Sequence, residues 1–202
     1  MKFMKSILIS TIGNIEKYTE VEYILDDVKV KSAVTIAAIV KKYNPSKTLV
    51  IALDSLLDDV EIKDYNEIIS YVKSKIRTFL KKQLEGILDQ NYLENNIEVI
   101  VLPATGKFTI EKSKDKKVLK IEGEMRDFYH LTLYYLALNL AELEDKSAIY
   151  LDVTHGMNYM NVYVYRAVNE LLGILSYVKK ISLIVFNSEP VAKEVKECSI
   201  HK

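Results

Sequence analysis

One short segment of the chain combines residue types that bind phosphate and ribose oxygens. Thr154-His155-Gly156-Met157-Asn158 follows an apolar run and precedes a helical pattern of apolar residues. A glycine-containing turn at such a place exposes backbone N–H groups at a helix N-terminus, and the Thr, His and Asn side chains add donors. A histidine at this position has little structural reason to be there. We therefore predict that these five residues bind a phosphate-bearing ligand, with His155 suited to proton transfer near neutral pH.

Three other predicted loops lie at the carboxyl ends of strands, where open α/β sheets bind their ligands. They are residues 10–14, 54–55 and 105–107, and the first and last place glycine beside a hydroxyl side chain. Lys107 adds a point charge for a phosphate. Turn formation and helix capping explain the same residue types, and for the first loop both interpretations stay open. The candidate ligand-binding residues of these loops are Ser10, Thr11, Gly13, Asn14, Thr105, Gly106 and Lys107.

Two kinds of residue near the first segment have competing interpretations. Asp152 ends an apolar strand and is suited either to orient His155 or to cap the following helix, which is the commoner role. Six tyrosines could stack on nucleobases, but their helical spacing favours packing for most of them. Tyr159, which adjoins the loop, is the best candidate for stacking. The others are Tyr129, Tyr134, Tyr135, Tyr163 and Tyr165.

Several common site types lack their sequence patterns. The chain contains no Gly-x-Gly-x-x-Gly, no Gly-x-x-x-x-Gly-Lys-Ser/Thr and no Gly-x-Ser-x-Gly, which disfavours a standard dinucleotide site, a P-loop and a hydrolase elbow. Cys198 is the single cysteine. His130 is in a helical pattern and His201 is near the C-terminus, so only His155 is in a predicted ligand loop. We expect no disulfide, no metal site and no cofactor.

Length and composition predict one domain with balanced charge. With 202 residues and 49% hydrophobic content, the chain is long enough to bury one substantial core over residues 1–202. The 28 basic and 28 acidic residues cancel, which disfavours long duplex nucleic acid as a partner. Three of the 28 basic residues are Arg, which leaves 25 Lys, a weighting typical of thermophiles and of AT-rich genomes. No apolar run approaches the roughly 20 residues of a membrane span, so we expect a cytoplasmic protein.

Apolar patterns along the chain predict alternating strands and helices. Continuous apolar runs predict buried strands over residues 3–11, 48–53, 97–102, 148–153 and 181–186. Helical spacing predicts helices over residues 32–43, 64–88, 124–143 and 158–177. This alternation predicts an α/β fold with a mostly parallel sheet flanked by helices.

Three segments depart from the alternation. Residues 108–121 contain two apolar stretches around the lysine-rich turn 113–117, which predicts a β-hairpin inserted at the ligand-facing edge. A polar stretch around residues 18–23 is expected to connect the first strand to the first helix. Residues 187–202 keep a weak apolar alternation that Pro190 interrupts. We expect them to form an edge strand or the start of a missing effector domain.

Three motifs together resemble a known family. Leu151-Asp152-Val153-Thr154-His155-Gly156-Met157-Asn158-Tyr159-Met160 is the specific one, with its Asp-x-Thr-His-Gly-x-Asn pattern. Ser10-Thr11-Ile12-Gly13 and Phe186-Asn187-Ser188-Glu189-Pro190 support it. The chain resembles, over nearly its whole length, the CRISPR-associated Rossmann-fold (CARF) proteins of type III systems. The resemblance implies a Rossmann-like fold.

The resemblance also implies a ligand and an assembly. In that family the domain forms a homodimer, and a cyclic oligoadenylate, commonly the tetra-adenylate, lies across the two-fold axis. It rests on the loops after the first and fourth core strands, which here carry Ser10, Thr11, Gly13 and Asn14 in one loop and Thr154, His155, Gly156 and Asn158 in the other. A ring with two-fold symmetry suits an isologous dimer that presents each loop twice. The implied function is that of an antiviral second-messenger sensor.

The chain departs from the family in one respect. Family members usually carry an RNase domain of the HEPN type, with Arg, four to six residues, and His. The nearest approach here is Arg126-Asp127-Phe128-Tyr129-His130, with three residues between, inside the predicted sensor fold. We therefore expect no RNase domain in this chain, which is either a stand-alone sensor or one cut at a natural boundary near Lys202.

Two alternative functions stay open. Some stand-alone members of the family resemble ring nucleases, which open the cyclic messenger without metal by attack of a ribose 2′-hydroxyl on its phosphate. Alignment and charge stabilisation carry such a reaction, and Ser10, Thr11 and His155 are the candidate catalytic residues, with Lys107 a weaker one. Outside the family, the same pattern fits a nucleotide-binding Rossmann enzyme.

Overall fold

The computed structural model describes residues 5–58, 64–112, 115–191 and 195–202. Within them the strands are β1 Ser6–Thr11, β2 Val21–Leu25, β3 Val28–Ser32, β4 Lys47–Leu53, β5 Ile97–Leu102, β6 Gly106–Lys112, β7 Asp115–Ile121, β8 Ser147–Asp152, β9 Ile181–Ser188 and β10 Glu197–His201. The helices are α1 Ile36–Tyr43, α2 Tyr65–Leu84, α3 Gln90–Asn95, α4 Met125–Leu140 and α5 Asn158–Leu175. Phe3 and Met4, at the start of the first predicted strand, lie outside the described residues.

Five neighbouring strands form a parallel sheet at the centre of the molecule. In the described residues the main sheet has the order β3-β2-β10-β9-β8-β1-β4-β5, and β9, β8, β1, β4 and β5 all pair in parallel. All residues of β1 and β8 are buried, because helices cover both faces of such a sheet. The prediction of an α/β fold with a mostly parallel sheet is confirmed.

The strand order places two loops side by side at the carboxyl edge of the sheet. From β1 the chain continues to β4 and β5 on one side, while β8 and β9 lie on the other. The order therefore reverses between β1 and β8, and the helices that come next after these loops, α1 and α5, pack on opposite faces of the sheet. This is the topological switch point at which open α/β sheets bind ligands.

Two apolar layers hold the helices on the sheet. Alternate residues of β1 point to opposite faces, so Leu8 packs with α1 and α2 while Ile7 and Ile9 pack with α4 and α5. Val72 on α2 and Val164 on α5 are fully buried in the two layers. Burial of each such aliphatic side chain contributes about 1.5–3 kcal/mol, so both helix layers fix the position of the loops above them.

The polar stretch around residues 18–23 was expected to be a connection, and this expectation was wrong. Its second half begins a hairpin, in which β2 pairs antiparallel with β3. Val21, Tyr23 and Leu25 are buried while the residues between them are half-buried, which is the two-residue period of a strand with one covered face. Asp26 makes the tight turn with a positive φ of 53°.

The C-terminal segment forms a strand inside the sheet and not at its edge. β10 lies between β2, to which it is parallel, and β9, to which it is antiparallel. Cys198 and Ile200 of this strand are buried. The segment is therefore part of this domain, and the outer strand of the sheet on this side is β3.

The predicted inserted hairpin is confirmed as a separate two-stranded sheet. β6 pairs antiparallel with β7, with Phe108 opposite Leu119. It follows β5 at the carboxyl edge, as expected. Ser113 and Lys114 of the lysine-rich turn lie outside the described residues. In the described part of the chain, no helix is both long enough and apolar enough to span a bilayer.

Candidate functional site

The loops after β1 and β8 interlock through two glycines. A Cβ atom added at Gly13 would lie 3.3 Å from the Gly156 Cα atom. Gly156 has a φ of +97°, and a Cβ there would lie 2.9 Å from the Thr11 hydroxyl oxygen. Residues other than glycine rarely adopt this φ, and a Cβ atom does not fit between the Gly156 backbone and the Thr11 hydroxyl. Glycine is therefore required for the two predicted ligand loops to form one unit.

Asp152 joins the ends of three elements beneath these loops. Its Oδ2 atom accepts hydrogen bonds from the hydroxyl groups of Ser10 (2.8 Å) and Thr35 (2.6 Å), and its Oδ1 atom accepts one from the Thr154 backbone N–H (3.1 Å). The residue has no exposed surface, and three donors offset the cost of burying the carboxylate. Asp152 does not cap α5, whose N-cap is Met157, so of the two interpretations left open for this residue the capping role is wrong.

Ser10 and Thr11 are fully buried beneath the loops. Whereas Ser10 donates to Asp152, the Thr11 hydroxyl contacts the backbone oxygen of His155 and the side-chain oxygen of Asn161. The Asn161 amide in turn donates to the Val153 carbonyl at 2.8 Å. In this structure both predicted catalytic hydroxyls hold the loops together and neither has exposed surface for a ligand.

His155 is enclosed by aromatic rings and by the start of α1. Its Nε2 atom accepts a hydrogen bond from the Thr35 backbone N–H at 3.3 Å. The Tyr18 ring stacks on it at 4.7 Å between centroids with an interplanar angle of 32°, and Tyr23 meets it edge-on at 6.4 Å. Burial lowers the pKa of His155 below its usual value, and the charge of Asp152 opposes this effect only in part. The imidazole is therefore neutral at pH 7.

A cavity of about 420 Å³ opens beside His155. It is lined by residues 17–19, Tyr23, Ala33, Thr154, His155 and residues 187–191. The Tyr18 hydroxyl accepts a hydrogen bond from the Gly13 N–H at 2.7 Å, and burial raises its pKa to about 12. The Ser188 N–H donates to the Thr154 hydroxyl at 3.0 Å. The three motifs of the sequence therefore meet at one place.

Three further candidates of these two loops do not line the cavity and lie on the surface. Asn14, Met157 and Asn158 are exposed. The Asn14 side chain accepts from the Glu16 N–H at 3.1 Å. Met157 offers no side-chain oxygen to the first N–H groups of α5, which leaves this helix N-terminus able to bind an anion.

The third predicted loop is not part of this cavity. Thr105, Gly106 and Lys107 follow β5, and β4 separates β5 from β1. They line a different cavity, of about 670 Å³, together with the acidic residues Glu122, Glu124 and Asp127 and residues 120, 121 and 123. The structure thus brings residues 10–14 together with residues 154–158 but does not bring residues 105–107 to them.

Tyr159 does not face the cavity. Its ring packs edge-on against Phe128 at 5.4 Å. Its hydroxyl is the one buried side-chain polar atom without a hydrogen-bond partner in the described residues, and burial raises its pKa to about 12. The aromatic rings at the site are Tyr18 and Tyr23 instead. In the same residues no group of three His, Cys, Asp or Glu side chains is placed to hold a metal ion.

Sequence reasoning missed Thr35 and the aromatic residues around His155. Tyr18 and Tyr23 lie in the stretch predicted to be a polar connection, where the alternation of Val21, Tyr23 and Leu25 was the available signal. Thr35 contacts His155 across 120 positions of sequence, and no local pattern predicts such a contact. The motif at residues 186–190 reaches the cavity, which explains why it accompanies the other two motifs.

Comparison with known proteins identifies the family. A family model described as "CRISPR system endoribonuclease Csx1, CARF domain" matches residues 7–190. The chain belongs to this CARF family. The CARF domain described here is 37% identical over 201 residues to the CRISPR system endoribonuclease Csx1 of Methanocaldococcus jannaschii. This alignment covers 98% of the chain and 40% of the relative.

A solved structure also resembles the CARF domain. It is Enterococcus italicus Csm6 bound to cyclic hexa-2′-fluoro-hexa-dAMP, with a TM-score of 0.47 and 13% sequence identity. The match covers 92% of the CARF domain and 34% of the Csm6 chain. Both relatives are thus much longer than this chain. The segment Arg126-Asp127-Phe128-Tyr129-His130, considered above for RNase chemistry, lies within α4 of the CARF domain.

Proposed function

We propose that this CARF domain binds a cyclic oligoadenylate, with cyclic tetra-adenylate as the first candidate, as the sensor of a type III CRISPR antiviral response. The observation that carries the proposal is the interlocked pair of loops after β1 and β8, with a cavity beside His155. Membership of the CARF family supports this ligand. The N-terminus of α5, where the N-cap residue Met157 offers no side-chain oxygen, and the hydroxyl of Thr154 suit phosphate and ribose oxygens.

The size of the cavity supports binding by two copies of the chain. Small-molecule sites measure about 300–1,000 Å³, and this cavity of about 420 Å³ is at the small end of that range. A ring of several nucleotides extends past such a cavity onto the exposed surface at Asn14, Met157 and Asn158. In an isologous dimer each loop is presented twice to the ring.

A face beside the loops suits the second copy. Tyr134 and Leu138 on α4, and Val162 and Tyr165 on α5, are exposed apolar side chains. The exposed fraction of Val162 is 63%. Because α5 begins directly at the β8 loop, a two-fold axis at this face brings both sets of loops to one ring. An effector RNase would then respond to the occupied dimer.

The first experiment is isothermal titration of the purified chain with cyclic tetra-adenylate, with linear tetra-adenylate as the control. We expect heat of binding with one ring per two chains. No heat with tetra-adenylate or hexa-adenylate rings at several temperatures would overturn the proposal, and tight binding of a mononucleotide alone would favour a nucleotide-binding enzyme. Chromatography of the recovered ligand separates a sensor, which returns the ring intact, from a ring nuclease, which returns linear products.

A further inference from the structure

The contact between Thr35 and His155 defines where the imidazole carries its proton. The Thr35 backbone N–H is a donor only, and it points to the His155 Nε2 atom at 3.3 Å. A ring nitrogen that accepts this bond has no proton, so the neutral ring is protonated at Nδ1. If the ring were turned over, a carbon atom would face the N–H group and the bond would be lost. Geometry therefore selects one tautomer.

The groups around His155 also keep the ring neutral. Thr35 is the N-cap of α1, whose positive end disfavours a second positive charge. The stacked Tyr18 and the edge-on Tyr23 are uncharged at pH 7 and cover part of the imidazole ring. Asp152 is the nearest negative charge, and three hydrogen-bond donors already occupy it. Lys17 and Glu189, which line the same cavity as His155, carry opposite charges.

The Nδ1 atom has no hydrogen-bond partner among the described residues and is accessible to solvent. Within the described residues His155 makes no hydrogen bond through Nδ1, and the one buried polar side-chain atom without a partner is the Tyr159 hydroxyl. Nδ1 therefore has solvent access, and His155 lines the cavity. A neutral ring in this state presents an N–H donor to whatever enters. Phosphate and ribose oxygens accept such a bond.

We propose that Thr35 is a positioning residue that holds His155 as the neutral Nδ1–H tautomer, so that His155 serves the ligand as a hydrogen-bond donor and not as a proton acceptor. The proposal rests on the proposed function of this cavity. Asp152 acts through Thr35, because its Oδ2 atom accepts from the Thr35 hydroxyl at 2.6 Å. If the cyclic oligoadenylate is cleaved at this site, the cleavage then proceeds without His155 as the general base.

Long-range ¹H–¹⁵N correlation spectra of the free, ¹⁵N-labelled chain test the tautomer. The exposed His130 and His201 serve as references in the same sample, and His155→Gln identifies the signals of His155. At pH 7 we expect an unprotonated ¹⁵N shift at Nε2 of His155 and a protonated one at Nδ1. A proton on Nε2, or a charged ring at pH 7, would overturn the proposal.

Two variants of Thr35 separate its N–H group from its hydroxyl. The φ angle of Thr35 is −61°, which proline also adopts. Thr35→Pro therefore removes the N–H and the hydroxyl, while Thr35→Ala removes the hydroxyl alone. We expect the alanine variant to keep the Nδ1–H tautomer and the proline variant to shift toward the exposed references. Equal spectra for the alanine and proline variants would show that the Thr35 N–H does not select the tautomer. If the proline variant does not fold, the wild-type spectrum decides which tautomer His155 adopts.

Addition of cyclic tetra-adenylate tests the donor role. We expect the Nδ1 proton to shift and to exchange more slowly with water, while Nε2 stays unprotonated. If cyclic tetra-adenylate binds and the chemical shift and exchange rate of the Nδ1 proton do not change, the donor role is wrong. It is also wrong if Nε2 gains a proton. If no ring binds in the titration, the proposed function and the donor role fail together, while the spectrum of the free chain still decides the positioning by Thr35.

Discussion

At the scale of single residues, Gly156 is the point where the two ligand loops touch. Its φ of +97° and the 2.9 Å that would separate an added Cβ from the Thr11 hydroxyl leave no room for a side chain. We expect Gly156→Ala to lower the free energy of unfolding by about 2–5 kcal/mol, the sum of backbone strain and overpacking. Denaturant unfolding followed by circular dichroism measures this.

Gly173 provides the matched control for that variant. It lies in α5, and a Cβ there would meet nothing within 4 Å. Glycine inside a helix costs about 0.5–1 kcal/mol relative to alanine, so Gly173→Ala is expected to stabilise the chain by that amount. Equal effects of the two substitutions would contradict the close contact between the loops.

His155 should make stability depend on pH. Its pKa is lowered in the folded state by burial, so as pH falls below about 6.5 the unfolded chain takes up the proton first. The free energy of unfolding then decreases toward acid pH, by at most about 1.4 kcal/mol per pH unit for one group, and the stabilisation is present above that pH.

Urea unfolding between pH 5 and pH 8 measures this dependence. His155→Gln keeps a side-chain oxygen able to accept from Thr35 but cannot titrate, so the decrease should become smaller. His130→Gln alters an exposed histidine on α4 and should leave the decrease in unfolding free energy toward acid pH unchanged. The same decrease in wild type and His155→Gln would assign the pH dependence to other groups.

At this scale the sequence predicted some residues that line the cavity and not others. Thr154 and His155, which line it, were predicted because a polar, glycine-containing turn after a buried strand has few structural explanations, and their role in binding a ligand stays a prediction. Ser10 and Thr11 were expected to face the ligand, but their hydroxyls satisfy Asp152 and the backbone of His155. Whether a short polar side chain points up to a ligand or down to a buried carboxylate depends on distant partners, which local spacing does not reveal.

At the scale of elements, the central strands, which are covered on both faces, were predicted, whereas the hairpin of β2 and β3 was not. β1 and β8 read as continuous apolar runs because helices pack on both sides. β2 alternates buried and half-buried residues, and because one of the half-buried residues is the charged Glu22, the segment was interpreted as a polar connection between elements. The hairpin that supplies Tyr23 to the cavity was missed for this reason.

The exposed face of α4 and α5 carries a prediction about assembly. We expect the double variant Val162→Glu, Tyr165→Glu to convert the proposed dimer to a monomer, because two charges per chain would be buried without partners at the two-fold axis. Sedimentation velocity with and without cyclic tetra-adenylate measures the mass. Binding of the ring should weaken in parallel, since each monomer presents half of the site.

Tyr177→Glu is the control for this face. Tyr177 is 90% exposed just beyond the other end of α5, about 22 Å from Val162 at 1.5 Å per residue along a helix. It should leave the dimer intact. A wild-type chain that is monomeric even with the ring bound would contradict the assembly, and dissociation by Tyr177→Glu alone would move the interface to the far end of the helix.

At the scale of the whole molecule, the balanced charge means that a phosphate-bearing cyclic ligand is attracted by local charges and not by the net charge of the protein. With 28 basic and 28 acidic residues the chain exerts no net long-range attraction. Lys17 is the cation among the described residues that line the cavity, and its Nζ atom makes no described ion pair. Binding should therefore depend on this local charge and only weakly on salt.

Substitution of Lys17 tests this expectation directly. We expect Lys17→Gln to weaken binding of cyclic tetra-adenylate about a hundredfold, the loss of one charge-assisted hydrogen bond of about 1.4 kcal/mol from each of the two chains. Each cation contributes at most about 0.7 to the slope of log K against log salt on a single strand, so two copies of Lys17 should account for at most about 1.4 of it. Titrations from 50 to about 300 mM salt measure the slope.

Lys31→Gln, on the exposed side of β3, is the control and should change neither the affinity nor the salt slope. An unchanged slope for Lys17→Gln would mean that the phosphates of the cyclic ligand lie elsewhere on the proposed dimer.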